Sequence, residues 1–154
     1  MLKKEDVIRY SAGIHFSQER LFNAFLREKG IKNISISKFR VLEVLWNNKE
    51  EGIIFSRICQ ETDLAKSTVS IMLSNMEKQG LIYRVAQGND IQNVLFYPTE
   101  EGCKYKNEYY EIMDKIYEII YEGVSPEEKE VYEKVLTTIT ENYKKRIYKK
   151  KRNK

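Results

Sequence analysis

Between Ala65 and Gly80 the chain places apolar residues at Val69, Met72, Leu73 and Met76. This is the i, i+3, i+4, i+7 spacing of a helix that buries one face. The opposite face holds Ser67, Ser70, Ile71, Ser74, Asn75 and Lys78, and Gly80 follows where a helix needs a residue tolerant of positive φ. A solvated helix face is usually rich in Glu and Lys. This one has few charges and several short hydrogen-bonding side chains, which suits either a solvated face or a helix that meets base edges in a DNA major groove.

The same pattern divides the rest of the chain. Residues 4–29 form a first helix with Ile14, Leu21, Phe22, Phe25 and Leu26 on its apolar side, ended by Gly30. Ser37 caps a second helix, Lys38 to Asn47, that gives Phe39, Val41, Leu42, Leu45 and Trp46 to a core. Ile53 and Ile54 suit a very short strand. Phe55 to Thr62 is a short helix burying Phe55, Ile58 and Cys59, and Asp63-Leu64-Ala65 turns it into the helix described first. Two short helices joined by a tight turn make a helix-turn-helix.

The period then changes. Leu81–Ala86 and Gln92–Tyr97 read as strands around the turn cluster Gln87-Gly88-Asn89-Asp90, a β-hairpin. Helix-turn-helix followed by a hairpin is the order of a winged helix. Thr99 caps a long helix to about Glu122, with Tyr105, Tyr109, Ile112, Ile116 and Ile119 on one side and Tyr110, Met113, Tyr117 and Tyr121 on another. Ser125-Pro126-Glu127-Glu128 is a capping box with Pro at the first helical position. It starts a last helix to about Tyr148, apolar at Val131, Val135, Leu136, Ile139 and Tyr143.

The expected fold class is therefore mostly α with a small β-hairpin (α+β): a winged helix-turn-helix lobe plus a helical dimerisation region from both termini. Residues 1–36 supply an N-terminal dimerisation helix and 37–98 the winged helix-turn-helix. Residues 99–148 supply C-terminal dimerisation helices, and 149–154 a basic tail. The outer helices carry more apolar surface than one small lobe can cover, which favours a two-fold homodimer; folding back onto the chain's own lobe is the alternative.

Composition refines this outline. The 154 residues are 42% hydrophobic and 32% charged, a globular balance. No run of 18 apolar residues suits a membrane span, and the N-terminus lacks the apolar core of a signal peptide, so a cytoplasmic protein is expected. The net charge is +4, but Lys144–Lys154 holds eight basic residues and no acidic ones, leaving the remainder at −4. That tail is either a solvated helix end or a contact for an anionic surface.

Several segments in order resemble the MarR family of bacterial transcription regulators. They are Ala65-Lys66-Ser67-Thr68-Val69-Ser70, then Met76-Glu77-Lys78-Gln79-Gly80-Leu81-Ile82-Tyr83-Arg84, and Pro98-Thr99-Glu100-Glu101-Gly102. In the family the second reads Leu-Glu-x-x-Gly-Leu-Ile/Val-x-Arg and the third Leu-Thr-x-x-Gly. The resemblance spans about Ser37 to Tyr143. It implies a winged-helix dimer on a pseudo-palindromic operator, a repressor released by a small aromatic molecule or an oxidant. Two departures matter. The family's wing carries Asp-x-Arg, where this chain has Asp90-Ile91-Gln92. The family often has an Arg after the recognition-helix Ser, where this chain has Ile71. From Leu64 to Pro98 three basic residues (Lys66, Lys78, Arg84) face two acidic ones (Glu77, Asp90), so few phosphate contacts are expected.

The candidate DNA-binding residues are Lys66, Ser67, Thr68, Ser70, Ile71, Asn75, Arg84, Asn89, Gln92 and Asn93. Ile71 suits a thymine methyl, and Gln92 and Asn93 suit minor-groove hydrogen bonds. Arg84 suits either a phosphate or a cross-hairpin pair with Asp90. Phe16, Tyr97 and Tyr105 are candidates for an aromatic effector pocket. Cys103, in the first turn of the long helix, is the better redox candidate; Cys59 suits the core. His15 is the only histidine, and no ligand cluster for a metal is visible. No cofactor is expected. There is no glycine-rich phosphate loop, no nucleophile-and-histidine set and no paired carboxylates in an apolar frame, so no enzyme is expected. Two rival readings keep this fold: a protein-interaction module that has lost operator binding, and a thiol redox sensor.

Overall fold

A computed structural model describes residues 1–88 and 94–149. Seven helices and three strands follow in order: α1 (Lys4–Glu28), α2 (Ile36–Asn47), β1 (Ile53–Ile54), α3 (Phe55–Thr62), α4 (Lys66–Lys78), β2 (Ile82–Ala86), β3 (Val94–Pro98), α5 (Glu100–Cys103), α6 (Lys106–Ile120) and α7 (Pro126–Lys149). The chain divides into two compact units, Met1–Ile116 and Tyr117–Lys154. Among the described residues no helix is long and apolar enough to cross a membrane.

The first unit is built around α2, which buries Phe39, Val41, Leu42, Val44, Leu45 and Trp46. Apolar residues on nearly every turn leave this helix no solvent face of its own, so α1, α3 and the sheet close over it. The Phe39 ring lies parallel to Tyr109 at 5.4 Å and meets Phe22 of α1 edge-on at 5.6 Å. The Tyr109 hydroxyl donates to Glu43 at 2.8 Å. Burial first, and then that bond, push this hydroxyl far above the usual phenol range, which keeps it a donor at all ordinary pH.

Helix α3 ends at Asp63, whose φ of 56° is left-handed, and the chain reverses into α4. The sheet is antiparallel with order β1-β3-β2. The hairpin register sets Tyr83 opposite Tyr97 and Arg84 opposite Phe96, and β1 adds Ile53 opposite Phe96. The expected short strand at Ile53–Ile54 is thus a third strand on the wing. Thr99 ties the region together. Its hydroxyl donates to the Gly80 carbonyl at 2.6 Å and accepts from the Gly102 amide at 3.0 Å, while its own amide donates to the Leu81 carbonyl at 3.0 Å.

Three boundaries differ from the sequence reading. Helix α2 starts at Ile36, not Lys38, because the Ser35 hydroxyl rather than Ser37 accepts the Lys38 amide. Leu81 precedes β2 as a buried link; its amide closes α4 by donating to the Met76 carbonyl at 3.0 Å. The long helix expected from Thr99 is two helices, broken at Lys104-Tyr105. The Trp46 indole donates to the Gly102 carbonyl at 3.2 Å, an acceptor that a continuous helix would offer to the amide four residues on.

In the second unit the capping box forms as expected. The Ser125 amide donates to Glu128 at 2.9 Å, and the Glu128 amide donates to the Ser125 hydroxyl at 3.3 Å. The Lys129 ammonium lies over the Tyr117 and Tyr121 rings at 4.7 and 4.8 Å.

Candidate nucleic-acid interface

Helix α4 is anchored by Val69, Leu73 and Met76, each buried. This fixes its rotation, so the other side must face outward. Lys66, Ser67, Thr68, Ser70, Ile71 and Asn75 are all exposed, as the periodicity required. Ser67, Ile71 and Asn75 follow one another at four-residue steps and share one stripe of the helix.

The hydroxyls on this stripe are uncommitted. In helices Ser and Thr often donate to the carbonyl four residues back, as Thr62 does to Ile58 at 2.7 Å and Thr140 to Leu136 at 2.8 Å. Among the described residues, no side-chain bond of this kind or any other engages Ser67, Thr68, Ser70 or Asn75. The N-cap of α4 is Ala65, which has no capping oxygen. The first-turn amides therefore add unfilled donors to a polar, nearly uncharged surface.

Arg84 has a different partner from either expected one. Its Nε donates to both carboxylate oxygens of Glu77, at 2.8 and 3.0 Å, and its terminal nitrogen closes the fork. Its guanidinium also lies over the Phe96 ring at 5.7 Å. The pair joins the last turn of α4 to β2 across the Gly80 turn, a staple between recognition helix and wing. Glu77 and Arg84 are seven residues apart and on different elements, so helical periodicity could not pair them. Asp90, the partner considered from sequence, lies outside the described residues, as do Asn89, Gln92 and Asn93.

Arg84 holds the Glu77 carboxyl below its ordinary range, chiefly through the hydrogen bond. A carboxylate with a depressed folded pKa stabilises the fold above its unfolded pKa, and the contribution vanishes as pH falls through the depressed value. The pair is partly exposed, so Glu77→Gln should cost at most about 1 kcal/mol at neutral pH. Urea titrations at neutral and acid pH check this: the gap between the two proteins should close in acid.

The three candidate effector-pocket residues make separate contacts. Phe16 on α1 is 59% exposed and touches His15. Tyr97 stacks on Tyr83 at 5.3 Å, and its hydroxyl donates to the Glu51 carbonyl at 3.2 Å. Tyr105 meets Phe39 edge-on at 6.3 Å. Cys103 closes the one-turn α5 instead of opening a long helix, so the argument from a helix N-terminus does not apply to it. Cys59 is buried on α3, as expected.

A sequence model of the MarR family matches residues 32–90, from the approach to α2 into the wing. Over this segment the chain is similar to the MarR family. It is 27% identical over 116 residues to the HTH-type transcriptional regulator FarR of Neisseria gonorrhoeae, covering 75% of this chain and 77% of that one. Similar folds include S. aureus MepR in a DNA complex, with a TM-score of 0.78, 21% identity and coverage of 92% and 99% of the two chains. Another is a mutant MarR from E. coli complexed with operator DNA, with a TM-score of 0.75, 17% identity and coverage of 87% and 93%. PcaV from Streptomyces coelicolor, in complex with its natural ligand, has a TM-score of 0.74, 16% identity and coverage of 86% and 89%. Members of this family are transcriptional regulators rather than enzymes.

Proposed function

We propose that this protein is a MarR-family regulator, a homodimeric DNA-binding repressor that inserts α4 into the major groove of a pseudo-palindromic operator. The observation that carries the reading is the exposed face of α4. It is fixed outward by a buried seam, and its hydroxyl and amide groups are left unpaired by the described residues. In the free protein water satisfies these exposed groups, and base edges and phosphates can take its place. In this reading Lys66, Ser67, Thr68, Ser70, Ile71 and Asn75 meet the DNA, while Arg84 holds the wing against α4. The hairpin joining β2 and β3 meets the minor groove or the backbone.

The dimer rests on the outer helices. None of α7's described side chains is buried, yet it carries Val131, Val135, Leu136, Ile139 and Tyr143. Val7, Ile8, Tyr10 and Ile14 of α1 are likewise exposed. Exposed apolar stripes of this length mark an interface, and a second copy of the chain covers them symmetrically. Release by a small aromatic ligand belongs to the same proposal.

A reporter driven by the gene's own upstream region tests the regulatory role. Supplying the protein should lower reporter output. Output that is unchanged, with the protein present and dimeric, would remove the repressor reading and favour an interaction module on the same scaffold.

A further inference from the structure

Ile71 is the one large apolar side chain in the middle of the polar stripe, and it is 66% exposed. It has no part in the core, because the buried seam of α4 runs through Val69, Leu73 and Met76 on the other side. Its neighbours on the stripe, Ser67 and Asn75, are short and polar, so neither shields it. Exposed single apolar residues are common on protein surfaces. What distinguishes this one is its place at the centre of the face that the proposed function turns toward base edges.

The major groove offers an isoleucine one kind of apolar partner. Guanine, adenine and cytosine present hydrogen-bonding atoms there, and thymine alone adds a methyl group. An arginine would read guanine by a bidentate bond, whereas a branched aliphatic chain has no donor and leaves such an acceptor unpaired. Resting on the DNA-binding reading above, we infer that Ile71 is a specificity-determining residue that selects thymine by packing on its 5-methyl group. The four-residue steps to Ser67 and Asn75 each advance about 6 Å along the helix. The thymine is therefore flanked within each half-site by bases read through hydrogen bonds.

The test first selects duplexes from a random pool with the full-length protein. Each thymine of the selected duplex is then replaced by deoxyuridine, which keeps every hydrogen-bonding group and removes only the methyl. At one thymine per half-site the replacement should weaken wild-type binding about fourfold for each half-site changed, the worth of one methyl-sized apolar contact. Ile71→Ala, which removes the contact in both half-sites, should bind the thymine duplex as weakly as the wild type binds a duplex with deoxyuridine in both, and should not distinguish the two. Ile71 is exposed, so this variant keeps its core. Wild-type binding indifferent to deoxyuridine at every position would overturn the inference and leave DNA binding standing. So would an Ile71→Ala protein that still senses the methyl. A pool that yields no selected duplex would overturn the DNA-binding reading, and this inference with it.

Discussion

Ile139→Glu should convert the proposed dimer to a monomer. Ile139 lies midway along α7, 44% exposed, within the stripe formed by Val135, Leu136 and Tyr143. If that stripe is the seam between two copies, a two-fold interface carries the change twice. Each lost isoleucine forfeits about 2 kcal/mol of apolar burial. Two such losses raise the dissociation constant by roughly three orders of magnitude, before the cost of bringing carboxylates into an apolar seam. Helix α7 itself should survive, because Glu is a good helix former and no described side chain of the helix is buried. Sedimentation velocity over a range of concentrations, with circular dichroism to show unchanged helix content, reads the result. A variant that stays dimeric would place the interface elsewhere.

Gly102→Ala should have the largest effect on stability. The missing Cβ of Gly102 points at the Leu81 carbonyl oxygen, closer than any real contact, with the Leu81 carbonyl carbon at 3.1 Å and Leu42 Cδ2 at 3.3 Å. The obstacle is backbone, so no rotamer change relieves it. That carbonyl accepts the Thr99 amide, and the Gly102 carbonyl accepts the Trp46 indole. Making room therefore disturbs both bonds. Overpacking of this kind costs about 1–3 kcal/mol, and a weakened buried hydrogen bond about 1 kcal/mol more. Together these lower the Tm by roughly 10 °C at 2–4 °C per kcal/mol. Thermal unfolding followed by tryptophan fluorescence suits the test, since Trp46 is the only tryptophan. An unchanged transition would mean that the approach of α5 to Leu81 is looser than described.

The helix-turn-helix was legible because its signals are local. The periodicity of α4 placed its buried seam and outward face correctly, and the Ser125 capping box marked the start of α7 without help from packing. What escaped the sequence depends on contacts between distant residues. Two serines, Ser35 and Ser37, both stand where a cap belongs, and only the geometry shows that Ser35 takes the Lys38 amide. Nothing at Lys104-Tyr105 resembles a helix break; no Gly or Pro stands there, and the competing donor, Trp46, lies 56 residues before its acceptor Gly102. The Glu77–Arg84 fork crosses a turn between two element types, where no single periodicity applies. By sequence alone Arg84 suits a DNA or hairpin contact, whereas in the fold it is a staple.

The staple also changes what the charge count means. With Arg84 engaged by Glu77, the exposed cations of α4 are Lys66 and Lys78. Few phosphate contacts imply a shallow dependence on salt, each contact adding about one unit to the slope. In the proposed reading, affinity then comes mainly from base edges, through Ser67, Ser70, Ile71 and Asn75.

The most direct measurement is a binding titration of the full-length protein against its own upstream duplex and a scrambled duplex of equal length, at several salt concentrations. Preferential binding to the native duplex, roughly a hundredfold or more, with a shallow salt slope, is the expected result. Equal, weak and steeply salt-dependent binding to both duplexes would contradict the account. Contact would then come from the basic tail alone, and α4 would have another partner.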